Sequence, residues 1–215
     1  MRRWLARSPL LAVLALTAVA PAAFAGNELY IRWDQCYGDG GTYNKAFACD
    51  VNTGVDYLVA SYRLDQAQPG PYTGVEAGIS IASTGTTLPS WWEYKNVGSC
   101  RTTSLAIDAV PPATATACVD LWGGLAAGGI GQYQLASSPI PPATNSALVR
   151  LMVAVPPQLA FALPAQQEIF AFRLSFNHAR TTGSPSCTGC GDPMCLGFSY
   201  ARLTGPVGVP SLVIS

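Results

Sequence analysis

The chain has 215 residues, of which 12 are basic and 12 acidic, and it contains seven cysteines and one histidine. This balance shows no excess of basic residues, which argues against nucleic acid as a partner. Apolar and aromatic residues are too frequent for a disordered chain, and 21 glycines and 17 prolines favour an extracellular β-domain with many turns.

The first 25 residues have the layout of a secretory signal peptide. Three arginines precede an apolar run at residues 10–20, and the small residues of "AFA" at 23–25 suit a signal peptidase. A membrane anchor is the alternative, but the run is short for a bilayer span and Pro21 ends it. We expect export and cleavage after Ala25, which removes those three arginines and leaves nine basic residues against 12 acidic ones.

Alternating apolar residues predict β-strands along most of the remaining chain. In "GVDYLVASYRLD" (54–65) both faces carry apolar side chains, which suits the middle of a sheet. In "QEIFAFRLSFNHA" (167–179), Phe170, Phe172, Leu174 and Phe176 share one face, which we expect in the core. Further predicted strands are residues 28–33, 74–82, 103–108, 129–136, 148–155, 195–204 and 209–214.

Turn-forming residues separate these segments, at 38–41, 68–71, 110–112, 139–142 and 184–193. The pattern predicts an all-β fold, a two-sheet antiparallel β-sandwich of the Ig-like, jelly-roll or carbohydrate-binding-module kind with disulfides. Helical turns are predicted only in "LPSWWEY" (88–94), where Ser90 and Glu93 have capping-box spacing, and in residues 118–129. No repeat or linker divides the chain, so we expect one domain at 26–215.

The cysteines predict a disulfide framework. All seven follow the leader, and an exported chain favours oxidised pairs: Cys36, Cys49, Cys100, Cys118, Cys187, Cys190 and Cys195. Pairing between nearest neighbours is the economical hypothesis, joining Cys36 to Cys49 and Cys100 to Cys118. Cys195 would then pair with Cys187 or Cys190.

One cysteine is left over under this hypothesis. It would be a free thiol, a link to another molecule, or the sign of a pairing that crosses these groups. A zinc site formed by the last three cysteines with His178 is an alternative, but secretion disfavours reduced thiolates. A redox pair of Cys187 and Cys190 is disfavoured because such pairs usually open a helix in a βαβ unit.

Two further binding sites are predicted from side-chain chemistry. Asp34, Asp39, Asn44, Asp50 and Asn52 supply oxygen ligands that suit Ca²⁺, although their spacing is not that of an EF-hand and Asx residues commonly form turns. Trp91, Trp92 and Tyr94, with Trp33 and Trp122, could stack on sugar rings, the alternative being that they fill the core.

Catalytic motifs are scarce. The sequence has no G-x-S-x-G, P-loop or H-E-x-x-H motif, which removes the common hydrolase and nucleotide-binding signatures. Glycoside hydrolysis needs only two carboxylates, so composition does not exclude it.

Five blocks carry a family resemblance: "LYIRWDQC", "KAFACDVNTG", "LPSWWEYKNVGSCR", "CVDLWGG" and "CTGCGDPMC". Together they resemble a group of uncharacterised secreted, cysteine-containing β-sandwich proteins of environmental bacteria. The resemblance covers most of residues 28–208 and implies a β-domain for export or the cell surface, without known catalytic residues.

From these observations we expect a secreted, non-catalytic envelope, adhesion or matrix domain, located outside the cell or in its envelope. Its loops would bind an extracellular or cell-surface protein or a glycan, without a cofactor. The alternatives are a carbohydrate-binding module that uses Ca²⁺ and, third, a carboxylate-based glycoside hydrolase.

Overall fold

The computed structural model describes residues 26–96, 98–135 and 143–214. The predicted signal peptide (1–25) and the predicted turn at 139–142 lie outside this part of the chain. The described residues form strands β1 (Glu28–Trp33), β2 (Val55–Arg63), β3 (Gln68–Tyr72), β4 (Gly74–Ser83), β5 (Leu105–Asp108), β6 (Ala127–Leu135), β7 (Ser146–Ala154), β8 (Phe161–Leu163), β9 (Glu168–Asn177), β10 (Met194–Thr204) and β11 (Leu212–Ile214). Single 3-10 turns occupy Ser90–Trp92 and Pro157–Leu159.

Two antiparallel sheets pack against each other. One has the strand order β1-β2-β9-β5 and the other β11-β10-β4-β7-β6, while β3 and β8 form a separate two-stranded ribbon. The predicted all-β sandwich is confirmed, and so is the expected position of β2 inside a sheet. No helix in the described ranges is long and apolar enough to cross a membrane.

The main core lies between the sheets, where inward-facing side chains alternate along each strand as the pattern predicts. β4 contributes Val75, Ala77, Ile79 and Ile81, and β7 contributes four residues at the same spacing, all at most 2% exposed. Each large aliphatic side chain buried in this way stabilises the fold by about 2 kcal/mol.

Phe170 lies on the opposite face from the one predicted. The β2–β9 pairing shifts register between Ala60 and Ser61, which leaves Ala171 as an extra residue in β9. Such a bulge reverses the alternation, so that Ile169 enters the main core and Phe170 turns outward. Phe170 then packs beneath the Cys36–Cys118 disulfide in a second cluster, and the other three predicted core residues of β9 keep their inner face.

Residues 68–71, predicted as a turn, are part of strand β3. Pro69 and Pro71 lack an amide donor, but β3 pairs only with β8, so an edge position tolerates them. The helical turn at Ser90–Trp92 forms as predicted, but Pro89 precedes it and Ser90 makes no capping bond. The helical turn predicted within residues 118–129 does not form; turns and the start of β6 lie there.

Three disulfides link segments that are distant in the sequence: Cys36–Cys118, Cys49–Cys190 and Cys100–Cys187, with sequence separations of 82, 141 and 87. Cys195 is free and exposed. The nearest-neighbour pairing is therefore wrong, because the sheet topology brings distant loops together. The zinc and redox alternatives also fail, since Cys187 and Cys190 are each bonded to another cysteine.

Candidate functional site

A pocket of about 610 Å³ opens between the two sheets, on the side where β1 and β10 face each other. We call it the lateral pocket. Its walls are Ile31 and Arg32 of β1, residues 43–46 and the segment 190–194 with Leu196, and its floor includes Trp33, Phe47, Leu58 and Trp92. It combines aromatic, apolar and charged side chains in one cavity between the sheets, which makes it the candidate site.

A disulfide holds two walls of the lateral pocket together. The loop 43–47 leads to Cys49, and the segment 190–196 begins with Cys190, its disulfide partner. Because this bond fixes the loops before any ligand arrives, a ligand does not have to order them, and this lowers the entropic cost of binding.

The floor is a rigid aromatic cluster. The Phe47 ring centroid lies 5.2 Å from that of Trp33 and 5.4 Å from that of Trp92, and both contacts are edge-to-face. Trp33 and Trp92 are 6% and 1% exposed, so they are core residues whose edges reach the pocket. This surface suits an apolar group.

Arg32 and three tyrosines form a stack at the rim. The guanidinium carbon of Arg32 lies 3.4 Å from the ring centroid of Tyr43 and 4.9 Å from that of Tyr37, which itself stacks on Tyr30. Arg32 is 5% exposed, whereas Tyr43 is 73% exposed. The stack therefore shields the charge and leaves a tyrosine ring open to solvent.

Lys45 joins two carboxylates in the pocket wall. Its ammonium donates to Asp34 at 2.7 Å and lies 3.0 Å from Asp56, whose second oxygen is 2.6 Å from Nε2 of the buried His178. Burial alone would lower the pKa of Lys45, but the hydrogen bonds and charges of Asp34 and Asp56 outweigh it and raise the pKa. Lys45 therefore stays charged, and its charge is paired with these two carboxylates.

The predicted calcium ligands are not brought together. Asp34 binds Lys45, Asn52 exchanges hydrogen bonds with the backbone of Thr182, and Asp50 is exposed. Asn44 lines the lateral pocket. These residues therefore do not form the calcium site that the sequence suggested.

Asp39, the remaining predicted ligand, stabilises a neighbouring loop. Its carboxylate accepts bonds from the amides of Thr116 and Ala117 and from the Thr116 hydroxyl. Burial acts to raise the pKa of Asp39, but these bonds outweigh it and lower the pKa. In the described ranges, the only three metal-ligating side chains that converge are Asp39, Cys36 and Cys118, and the two cysteines form a disulfide.

The predicted sugar-stacking residues are buried. Trp91, Trp92 and Tyr94 are 0%, 1% and 0% exposed, so the prediction that their faces meet a sugar is wrong and the core alternative is confirmed. Tyr43, an exposed aromatic residue in the wall of the lateral pocket, was not among the residues predicted from the sequence. In the sequence, Tyr43 lies in a turn-rich loop outside every predicted strand, and this position could have indicated its exposure.

No family model, curated protein or solved structure matches the chain.

Proposed function

We propose that the protein is an exported, non-catalytic binding domain of the cell envelope or extracellular matrix, which recognises its partner through the lateral pocket. The observation that carries this proposal is a pocket with an aromatic floor whose loop walls are fixed by the Cys49–Cys190 disulfide. Three disulfides also suit an oxidising compartment.

The acidic residues around the pocket support binding rather than hydrolysis. Among the described residues, Asp192 is the one acid in its walls, whereas glycosidases usually place two carboxylates across the scissile bond. Asp34 and Asp56 share the Lys45 ammonium, and Asp56 also holds His178. Their charges are thus engaged in internal contacts.

Glycan binding is the second candidate, favoured by the open ring of Tyr43. A tyrosine face stacked on a buried guanidinium is a rigid platform for the C–H face of a sugar. Asn44 and Asp192 lie in the same walls and could bind hydroxyl groups. This candidate does not need Ca²⁺.

The test of the main proposal is a variant that fills the pocket. Ala46 is exposed in the wall, so Ala46→Trp should occupy the cavity without disturbing the core, while Ala48→Trp adds the same ring to an exposed position outside it. We expect Ala46→Trp alone to weaken binding to arrayed glycans and displayed peptides. Equal binding by the two variants would contradict the proposal.

The glycan candidate is tested with Tyr43→Ala on the same array, with Phe161→Ala as the control because Phe161 is also an exposed aromatic residue but belongs to β8, outside the pocket walls. Loss of one stacking contact should reduce affinity about tenfold. Unchanged glycan binding by Tyr43→Ala would reject this candidate.

A further inference from the structure

Arg32 is a buried cation without a carboxylate partner. It is 5% exposed, and within the described ranges no acidic side chain forms an ion pair with it. Arg63, Arg173 and Arg202 are more exposed, and each of them pairs with a carboxylate. Because removal of a charge from water is costly, a buried arginine usually has such a partner. Arg32 is therefore an unpaired charge that an anion from outside the chain could neutralise.

The guanidinium of Arg32 has hydrogen-bond donors to spare. It carries five N–H groups, and its hydrogen bond in the described part of the chain runs from Nη1 to the carbonyl of Ile31 at 2.8 Å. Its other nitrogens are not sealed without a partner, as Nε of Arg101 is, and Arg32 lines the lateral pocket. These donors can therefore reach a group that is bound there.

The contact with Tyr43 leaves the edge of the guanidinium open. The guanidinium carbon lies 3.4 Å from the ring centroid, which is the thickness of an aromatic ring, so the two planes are nearly parallel. The N–H groups then point sideways, along the plane of the ring. A carboxylate, which is planar and has two oxygens, fits such an edge through two parallel hydrogen bonds.

The other tyrosines hold Arg32 in place before a ligand arrives. The guanidinium carbon lies 4.9 Å from the ring centroid of Tyr37, and that ring stacks on Tyr30. A free arginine side chain would lose much rotational freedom on binding. Because this side chain is already fixed by packing, it can bind an anion at a lower entropic cost.

The surroundings favour a sugar as the carrier of that carboxylate. Tyr43 is 73% exposed, so its open face can stack on a sugar ring, and Asn44 in the same wall can bind hydroxyl groups. Asp192 places a negative charge in the same cavity and would repel a strongly acidic peptide. A ligand with one carboxylate among many hydroxyl groups fits both observations.

We propose that the lateral pocket binds a uronate, a sugar acid of a polysaccharide, whose carboxylate accepts hydrogen bonds from the edge of Arg32 while a sugar ring of the same polysaccharide stacks on Tyr43. This rests on the proposed function in its glycan form and names the class of sugar. Lys45 is not the anchor, because Asp34 and Asp56 already pair with it.

The experiment uses the full chain, expressed with its leader and purified oxidised. The probes are oligosaccharides of galacturonate, glucuronate and mannuronate, each compared with its methyl ester, which lacks the charge but keeps the sugar ring. We expect at least one uronate to bind at least about tenfold more tightly than its ester. Arg32→Met, which keeps a long apolar side chain, should remove this difference. Arg150→Met, at an exposed position of β7 outside the pocket walls, is the control and should retain it.

A measurement on the wild type does not depend on how well the variant folds. The NMR signal of the Arg32 Nε–H group, assigned by its absence from Arg32→Lys, should shift when the uronate is added and should stay in place with the ester. Arg32→Lys should also bind the uronate more weakly, because lysine keeps the charge but lacks the planar pair of donors.

Three results would overturn the inference: uronates that bind no more tightly than their esters, a preference that Arg32→Met leaves unchanged, or an Arg32 signal that does not respond. Acidic peptides that bind through Arg32, without uronate binding, would reject the sugar as the ligand. Binding of neutral sugars that Ala46→Trp weakens would reject the uronate but retain the proposed function. Absence of any probe whose binding responds to Ala46→Trp would reject both.

Discussion

Arg101 is a buried cation whose contacts are rings and carbonyl groups. It is 1% exposed, its guanidinium carbon lies 3.4 Å from the ring centroid of Trp91, and its nitrogens donate to the carbonyls of Trp91 and Asn177. Burial lowers the pKa of Arg101 to about 10. The side chain thus joins the Ser90–Trp92 turn to the end of β9.

We predict that Arg101→Ala lowers the free energy of unfolding by about 3 kcal/mol, because two buried carbonyls lose their donors and a cavity forms. Urea denaturation measures this. Arg150→Ala, at an exposed position of β7, is the control and should change stability by less than about 0.5 kcal/mol. Similar losses in the two variants would contradict a specific role for Arg101.

Cys195 should be the one thiol that reacts in the native protein, because the other six cysteines are paired and Cys195 is exposed on β10. Alkylation without denaturant, followed by digestion without reductant, should show one labelled peptide and three linked pairs. A peptide that links Cys195 to Cys187 or Cys190 would contradict the connectivity described above.

At the scale of elements, the Cys49–Cys190 disulfide closes the longest loop and ties two walls of the lateral pocket. In the chain-entropy model a loop of this length contributes about 5 kcal/mol. We therefore expect the double variant Cys49→Ala and Cys190→Ala to lose about that much in urea denaturation. Cys195→Ala is the matched control and should be nearly neutral; a comparable loss there would contradict the assignment.

Sequence patterns predict the long strands well, but they do not predict the bulge in β9 or the short strand β3. A two-residue alternation of apolar side chains locates β2, β4, β7 and β9, because each of these strands buries one or both of its faces. The outward turn of Phe170 depends on a bulge at Ala171, and β3 depends on a distant partner strand, β8. Neither local alternation nor turn chemistry contains that information.

At the scale of the whole molecule, the sandwich follows from apolar faces that must cover each other, but the lateral pocket does not. Two of its walls are joined by a disulfide between residues 141 apart in the sequence. Such a long-range pairing is not visible in local patterns, so the sequence predicted a domain that binds through its loops without locating the pocket. Exposure of Trp91 and Trp92 in "SWWEY" was one alternative predicted from the sequence. Both are buried, because the two sheets pack around them.

Three tyrosines of the main core, Tyr62, Tyr94 and Tyr133, make stability depend on alkaline pH. Burial raises the pKa of each phenol above its ordinary value near 10. Up to about pH 10 both the folded and unfolded states keep these protons, and above it the unfolded state releases them first. Stability should therefore fall as the pH rises past about 10.

Arg101 acts in the opposite direction, since its lowered pKa adds stability as the pH rises past about 10. Because Arg101 is one group and the tyrosines are three, we expect a net loss of stability at alkaline pH. A lower urea midpoint at pH ~11 than at pH ~8 would measure this loss. Tyr62→Phe is the sharpest comparison, because the Tyr62 hydroxyl has no hydrogen-bond partner in the described part of the chain and its removal costs little at neutral pH. The variant should lose less stability between the two pH values than the wild type, and an equal loss would show that burial of these phenols does not set the alkaline limit.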